Sequence, residues 1–354
     1  MDNKFHTYKE IFSQTDSFEK IYEDIVEEKF CIDKDFFLKP YDEIILFGCG
    51  SSYNLSQSAS FFTKSLLNNK CCIALPSSEL LTNTDIYINK GKKYLVIGFS
   101  RSGETTESIN VIKKLIAGNK NITAFTFSCN SNSTMVRISN YFFVCRDSVE
   151  KSIVMTKSFS SMLYAYCLIL TKSIGNKEIL FEFKYLTEYL STKMKIIYNE
   201  IYEYLSKNNF KLYFVLGNGF NYGLAVEADL KMKEMSQIPS FSYNLFEFCH
   251  GPISLINNES LCIFLTINKN LLNNKLIIDN ILKFGAKVLI IGQKDIEEIN
   301  NININYLLVD SRFKYDNVRS FINIPVFQMI AYIKTVMEKL NPDTPRNLSY
   351  TTKI

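Results

Sequence analysis

The chain has 354 residues, enough for two domains with well-buried cores. Its formal charge of +4 is mild and its lysines are scattered, so there is no basic stripe with interleaved aromatics to hold a nucleic acid. The nine cysteines are odd in number and lack C-x-x-C spacing, a pattern of reduced thiols rather than a disulfide framework.

His6 and His250 are the only histidines, and nothing around His6 supports a metal site, so no metal and no cofactor are expected. The N-terminus, Met-Asp-Asn-Lys-Phe-His, is too polar for a signal peptide, and no apolar run approaches the roughly 20 residues of a membrane span. These features predict a cytoplasmic protein without membrane or nucleic-acid partners.

Apolar runs at 44–48, 71–75, 94–99, 122–127 and 141–145 alternate with helical stretches through the first half. Runs at 212–216, 238–241, 261–266, 287–291 and 306–309 do the same in the second. Five and five predict an α/β protein built from two tandem parallel five-stranded αβα sandwiches. The boundaries read as an N-terminal helical segment at 1–40, a first sandwich at 41–172, a helical connector at 173–210, a second sandwich at 211–340 and a tail at 341–354. Leu46-Phe-Gly-Cys-Gly50 resembles Val215-Leu-Gly-Asn-Gly219, and each is followed by an aromatic and a helix, a weak internal duplication with a period of about 170 residues. The asparagines of Asn300–Asn305 read as composition bias.

Two strand-to-turn segments carry chemistry. Ile44–Ser52 and Tyr94–Thr105 each end an apolar run in Gly and hydroxyl residues ahead of a helix, which places backbone N–H groups where an anion can sit. In the second, Ser100, Ser102 and Thr105 supply three hydroxyls around Gly103. The alternative is a turn and a capping box with no ligand. There is no P-loop, and Gly48-Cys-Gly50 meets Tyr53 where a dinucleotide fingerprint needs Gly, so a sugar phosphate fits the turn better than a nucleotide.

In the second half, Glu227, Lys231 and Glu234 fall at i, i+4 and i+7 on one face of the helix after the Gly turn. A solvated, salt-bridged face is the competing reading. His250 precedes Gly251-Pro252, which continues neither a helix nor a strand, and its imidazole is the default acid/base group near neutral pH.

Taken together, Gly48-Cys-Gly-Ser-Ser-Tyr-Asn54, Ser100-Arg-Ser-Gly-Glu-Thr105, Glu150 with Met155-Thr-Lys-Ser-Phe159, Glu227 to Glu234, His250-Gly-Pro252 and Pro345-Arg-Asn-Leu348 resemble the SIS (sugar isomerase) family. The resemblance is to the double-SIS isomerase half of glucosamine-6-phosphate synthase and its stand-alone relatives, and it runs over roughly 40–354. It implies flavodoxin-like sandwiches, with Ser52, Ser100, Ser102 and Thr105 holding a sugar phosphate. It further implies that Glu234 moves a proton between C1 and C2, and that His250, lent by the other subunit of a homodimer, opens the sugar ring. Lys231 and Tyr350 are expected to contact substrate, and the tail to close over the site.

Three departures narrow the implied activity. The chain begins Met-Asp-Asn and enters the SIS region at once, so glutamine-dependent synthesis is not expected. The imine-forming Lys of the synthase falls at Tyr350, with Lys353 out of register by three residues. The Gln usual in the phosphate loop is Arg101, a charged fork near the phosphate or a substrate carboxylate. The leading expectation is conversion of glucosamine 6-phosphate to fructose 6-phosphate and ammonia. The alternatives are a deglycase of fructosamine or amino-acid-sugar 6-phosphates, and a non-catalytic sugar-phosphate sensor. The sensor is disfavoured because Glu234 and His250 are present and no helix-turn-helix segment precedes the first strand.

Overall fold

A computed structural model describes residues 4–350 apart from 28, 29, 31, 34, 69, 266–271, 294–298 and 311. The described residues divide into two compact units: 4–187 together with 346–350, and Glu188–Pro345. The division falls inside one helix, Lys177–Ser206, where the sequence predicted a helical connector.

The first unit holds β1 (Glu43–Gly48), β2 (Cys71–Pro76), β3 (Tyr94–Ser100), β4 (Ile122–Ser128) and β5 (Tyr141–Val144) in a parallel sheet of order β2-β1-β3-β4-β5. The second holds β6 (Leu212–Leu216), β7 (Ser240–Tyr243), β8 (Ser260–Leu265), β9 (Lys287–Gln293) and β10 (Ile304–Val309) in the order β10-β9-β8-β6-β7. Read from its own first strand, the second sheet repeats the order of the first. Both are the doubly wound arrangement in which ligands sit past the carboxyl ends of the strands, where the strand order reverses.

Helices on both faces explain why the central strands read as unbroken apolar runs rather than as alternating ones. All seven residues of β3 are buried, and Ile45, Phe47, Tyr94 and Val96 pack with Val111, Ile112 and Leu115 of the helix Thr106–Ile116. Burying each such side chain stabilises the fold by about 1.5–3 kcal/mol. A matching cluster in the second unit joins Phe214, Leu216, Cys262, Phe264, Val288 and Ile290 to Ile277, Ile278 and Ile281.

The duplication extends to backbone angles. Gly50 and Gly219 cap the helices Ser51–Leu66 and Phe220–Lys231 at φ/ψ of 53°/−125° and 59°/−124°, which glycine alone adopts easily. A Cβ on Gly48 would lie 2.5 Å from the Ser52 backbone, and one on Gly217 2.5 Å from that of Asn221, so each Gly-x-Gly lets a helix start hard against its strand.

Three expectations need correction. The strand expected at 238–241 is Ser240–Tyr243, because Gln237 adopts a left-handed φ of 57° and Pro239 has no N–H for a ladder. The strand expected from 306 begins at Ile304, so part of the Asn-rich stretch is ordered sheet. Asp316–Met337 is long and apolar enough to span a membrane by composition, although 89% of its most apolar window is buried in the fold, as in a core helix. The eight described cysteines are free, and among the described residues no group of three or more His, Cys, Asp or Glu is placed to hold a metal ion.

Candidate functional site

At the carboxyl end of β3 the chain turns sharply before the helix Thr106–Ile116. Gly103 sits at φ +63°, and a Cβ there would run into the Ser133 side chain, so the turn requires glycine. Ser100 Oγ accepts from the Gly103 N–H at 3.0 Å and lies 3.1 Å from Thr105 Oγ1, while Ser102 Oγ accepts from the Glu104 N–H at 3.1 Å. These bonds use lone pairs on the serines and leave the Ser102 hydroxyl proton to give to a ligand oxygen. Thr105 is the N-cap of the helix, yet its side chain caps none of the first-turn N–H groups. Three hydroxyls and the uncapped start of a helix therefore lie within six residues of chain, the kind of group an anion requires. Ser52, 4% exposed, lies in the first turn of the helix after β1. The neighbouring Cys49 thiol is pushed up in pKa, chiefly by burial, so it is protonated and unsuited to nucleophilic work.

Arg101, in the middle of this turn, points into the protein. Its Nη1 donates to Glu150 Oε2 at 3.0 Å and to the Ser152 carbonyl at 3.3 Å. Its Nη2 donates to the carbonyls of Ile153 at 2.7 Å and Tyr350 at 3.3 Å. The Tyr350 ring lies over the guanidinium with 3.9 Å from Cζ to the ring centre. Glu150 is itself filled: Oε1 accepts from the N–H and hydroxyl of Thr156 and the N–H of Ser158, and Oε2 from the Ser158 hydroxyl. Sequence reasoning missed Glu10, on the helix His6–Phe12, whose carboxylate accepts from the N–H groups of Lys151 and Ser152 and from the Ser152 hydroxyl. Burial, then the charge of Glu150, raises the Glu10 pKa above the usual carboxylate value. Nothing in the polar N-terminal sequence signals that role.

In the second unit the helix Phe220–Lys231 passes into a π-helical turn, Met232–Ser236. Such turns frequently mark functional sites. Lys231, fully buried, lies 3.2 Å from Glu227 and is hydrogen-bonded to Glu234. Burial opposes the Lys231 charge, but Glu227 and Glu234 together outweigh it and raise the pKa. Of the two carboxylates, Glu227 is completely buried and Glu234 keeps 19% of its side chain exposed, so Glu234 is the one that can meet a ligand. The face is thus a buried ion triad, not a solvated one. His250 is exposed, on the turn between the short helix Glu247–Cys249 and Gly251 at φ 122°. Among the described residues, no hydrogen bond joins its ring to the triad.

The sequence-selected residues therefore gather into two clusters, Ser100, Arg101, Ser102, Thr105 and Tyr350 in the first unit, and Lys231 with Glu234 in the second. Lys353 lies outside the described residues.

A topology of two such sandwiches, with a hydroxyl turn past β3 of the first, defines a class of ligand-binding α/β protein, and comparison with known proteins gives its family. The profile of the SIS domain matches residues 37–172 and 205–332, and the chain belongs to that family with two copies of the domain. The glutamine--fructose-6-phosphate aminotransferase (isomerizing) of Francisella tularensis is 25% identical over 370 residues, covering 98% of this chain and 58% of that protein. The chain spans about half the length of the curated relatives it matches. Among solved structures, the C-terminal domain of the Francisella tularensis glucosamine-fructose-6-phosphate aminotransferase superposes with a TM-score of 0.84 at 23% identity, covering 97% of this chain and 98% of that one. Glucosamine-6-phosphate deaminase from Thermotoga maritima superposes with a TM-score of 0.82 at 25% identity, covering 99% and 100%.

Proposed function

We propose that the protein is a phosphosugar isomerase that also deaminates, converting an amino-sugar 6-phosphate, with glucosamine 6-phosphate as the leading substrate, to the ketose phosphate and ammonia. The observation that carries this reading is the buried Glu227–Lys231–Glu234 triad, in which one carboxylate alone retains access. A carboxylate held by a buried ammonium is a fixed base of the kind a carbon acid requires. The hydroxyls of Ser52, Ser100, Ser102 and Thr105 hold the phosphate. His250, contributed across a homodimer, promotes ring opening.

Glu234 removes the C2 proton of the open-chain aldose and returns a proton to C1, which leaves an imine at C2. Water adds to that imine and ammonia departs, so the step needs no oxidant or reductant. Tyr350 has no amine and forms no imine with a ketose. The names of the relatives, an isomerizing aminotransferase and a deaminase, support this substrate class.

A deglycase acting on amino-acid-sugar 6-phosphates uses the same two groups on a larger substrate. Purified protein is offered glucosamine 6-phosphate, a fructose-amino-acid 6-phosphate and tagatose 6-phosphate while ammonia, free amino acid and ketose are followed. Ammonia from the first is the expected outcome, release of amino acid from the second favours the deglycase, and turnover of none contradicts the proposal.

A further inference from the structure

We propose that Arg101 is a positioning residue that docks the C-terminal segment onto the anion-binding turn through Tyr350, and is not a ligand of the anion. Both terminal nitrogens of the guanidinium donate to protein acceptors, one of them the Glu150 carboxylate, and its flat face is covered by the Tyr350 ring. The side chain is 6% exposed. An arginine committed on its edge and its face has little left to offer a phosphate.

The turn is held at the same residue by its backbone, because the Arg101 carbonyl accepts from the Cys129 N–H at 3.1 Å and the Ser128 hydroxyl at 3.2 Å. Arg101 thus links three things: the 100–105 turn, the Glu150 loop and the tail residue Tyr350. Tyr350 is gripped twice, by ring and by carbonyl, and the residue as a whole remains 40% exposed. Stacking and forked donation both depend on a planar guanidinium, so a lysine cannot reproduce them.

The consequence is that a phosphate at Ser100, Ser102 and Thr105 is met by hydroxyls and N–H groups, while Arg101 acts on its affinity indirectly, by keeping Tyr350 in place. This deepens, and rests on, the reading of the turn as an anion site.

The test uses the full chain with Arg101→Lys, Tyr350→Ala, Tyr350→Phe and the Lys/Ala double variant. Two quantities are read: hydrogen exchange of the amides in 346–350 without ligand, and calorimetric binding of glucosamine 6-phosphate and of inorganic phosphate alone. Arg101→Lys and Tyr350→Ala are each expected to speed exchange and to weaken sugar-phosphate binding by about tenfold, with no further loss in the double variant, whereas Tyr350→Phe, which keeps the stacked ring, retains wild-type exchange. Unchanged exchange in Arg101→Lys overturns the proposal. So does a loss of binding in Arg101→Lys that Tyr350→Ala does not share, which would make Arg101 a direct ligand. If Arg101→Lys does not fold, the Tyr350→Ala and Tyr350→Phe pair decides by the same two readings. If wild type binds neither probe, the anion-site reading fails, and the exchange measurement still decides whether Arg101 holds the tail.

Discussion

The two SIS domains share strand order, a Gly-x-Gly turn and nearly identical cap angles, yet they carry different chemistry. Counted from the Gly50 and Gly219 caps, the positions of Glu227, Lys231 and Glu234 are Ser58, Phe62 and Ser65 in the first copy. There the helix runs on as regular α-helix to Leu66, and Ser58 and Phe62 are plain core. In the second copy the helix ends at Lys231 in a π-helical turn that carries Glu234. Conversely, the hydroxyl turn that follows β3 has no counterpart in sequence after β8, where Thr266-Ile-Asn-Lys-Asn follows Leu265. One scaffold occurs twice, and a handful of substitutions puts a hydroxyl-rich turn in one copy and an ion triad in the other. The fold therefore says where a ligand sits, and the side chains say what is done to it.

If the copies divide the work in this way, substitutions in one should leave the other's property intact. The largest effect is expected from Glu234→Gln, which keeps the shape and removes the base: turnover of the substrate identified in the assay should fall by roughly 10²–10⁴ with sugar-phosphate binding retained. A variant with more than a tenth of wild-type turnover would break the assignment.

Next comes Glu150→Ala, which strands Arg101 as an unpaired buried charge in the first copy. Urea titration should show a stability loss of roughly 3–5 kcal/mol, and a loss of a few tenths would mean that the network is ornamental.

Ser100→Ala and Ser102→Ala each remove a donor to a charged oxygen and should weaken binding of the phosphorylated sugar by roughly 1.5–3 kcal/mol while barely affecting the unphosphorylated one. Equal losses for both sugars would make these serines turn-builders only.

The smallest effect concerns Glu10. Its folded pKa is raised, so its contribution to stability is greatest below the unfolded carboxyl pKa and is lost as pH rises through the folded value. Lowering the pH from about 7 to about 4 should therefore shift the stability difference between wild type and Glu10→Gln in favour of wild type. A shift in the opposite direction contradicts the raised pKa.

Much of this was legible in the chain. The ten strands announce themselves because a parallel sheet buried on both faces demands unbroken apolar runs, and the Gly-x-Gly pairs because backbone and helix approach too closely for any side chain. The spacing of Glu227, Lys231 and Glu234 showed one shared face but not that the face is buried, because burial depends on what packs over it. The orientation of Arg101 was also hidden: its partners Glu150, Ser152, Ile153 and Tyr350 lie 49 to 249 positions away, beyond any local pattern. The π-helical turn and the part played by Glu10 leave no trace in periodicity, since each is imposed by tertiary packing.

The division of labour is tested most directly by incubating wild type and Glu234→Gln in heavy water with saturating glucosamine 6-phosphate and following deuterium entry into the sugar by NMR. The account predicts deuterium at C1 of the ketose product with wild type, and none with the variant although it binds the sugar phosphate as tightly. Deuterium entering at comparable rates with both proteins would contradict it, and would place the base elsewhere than in the second copy's triad.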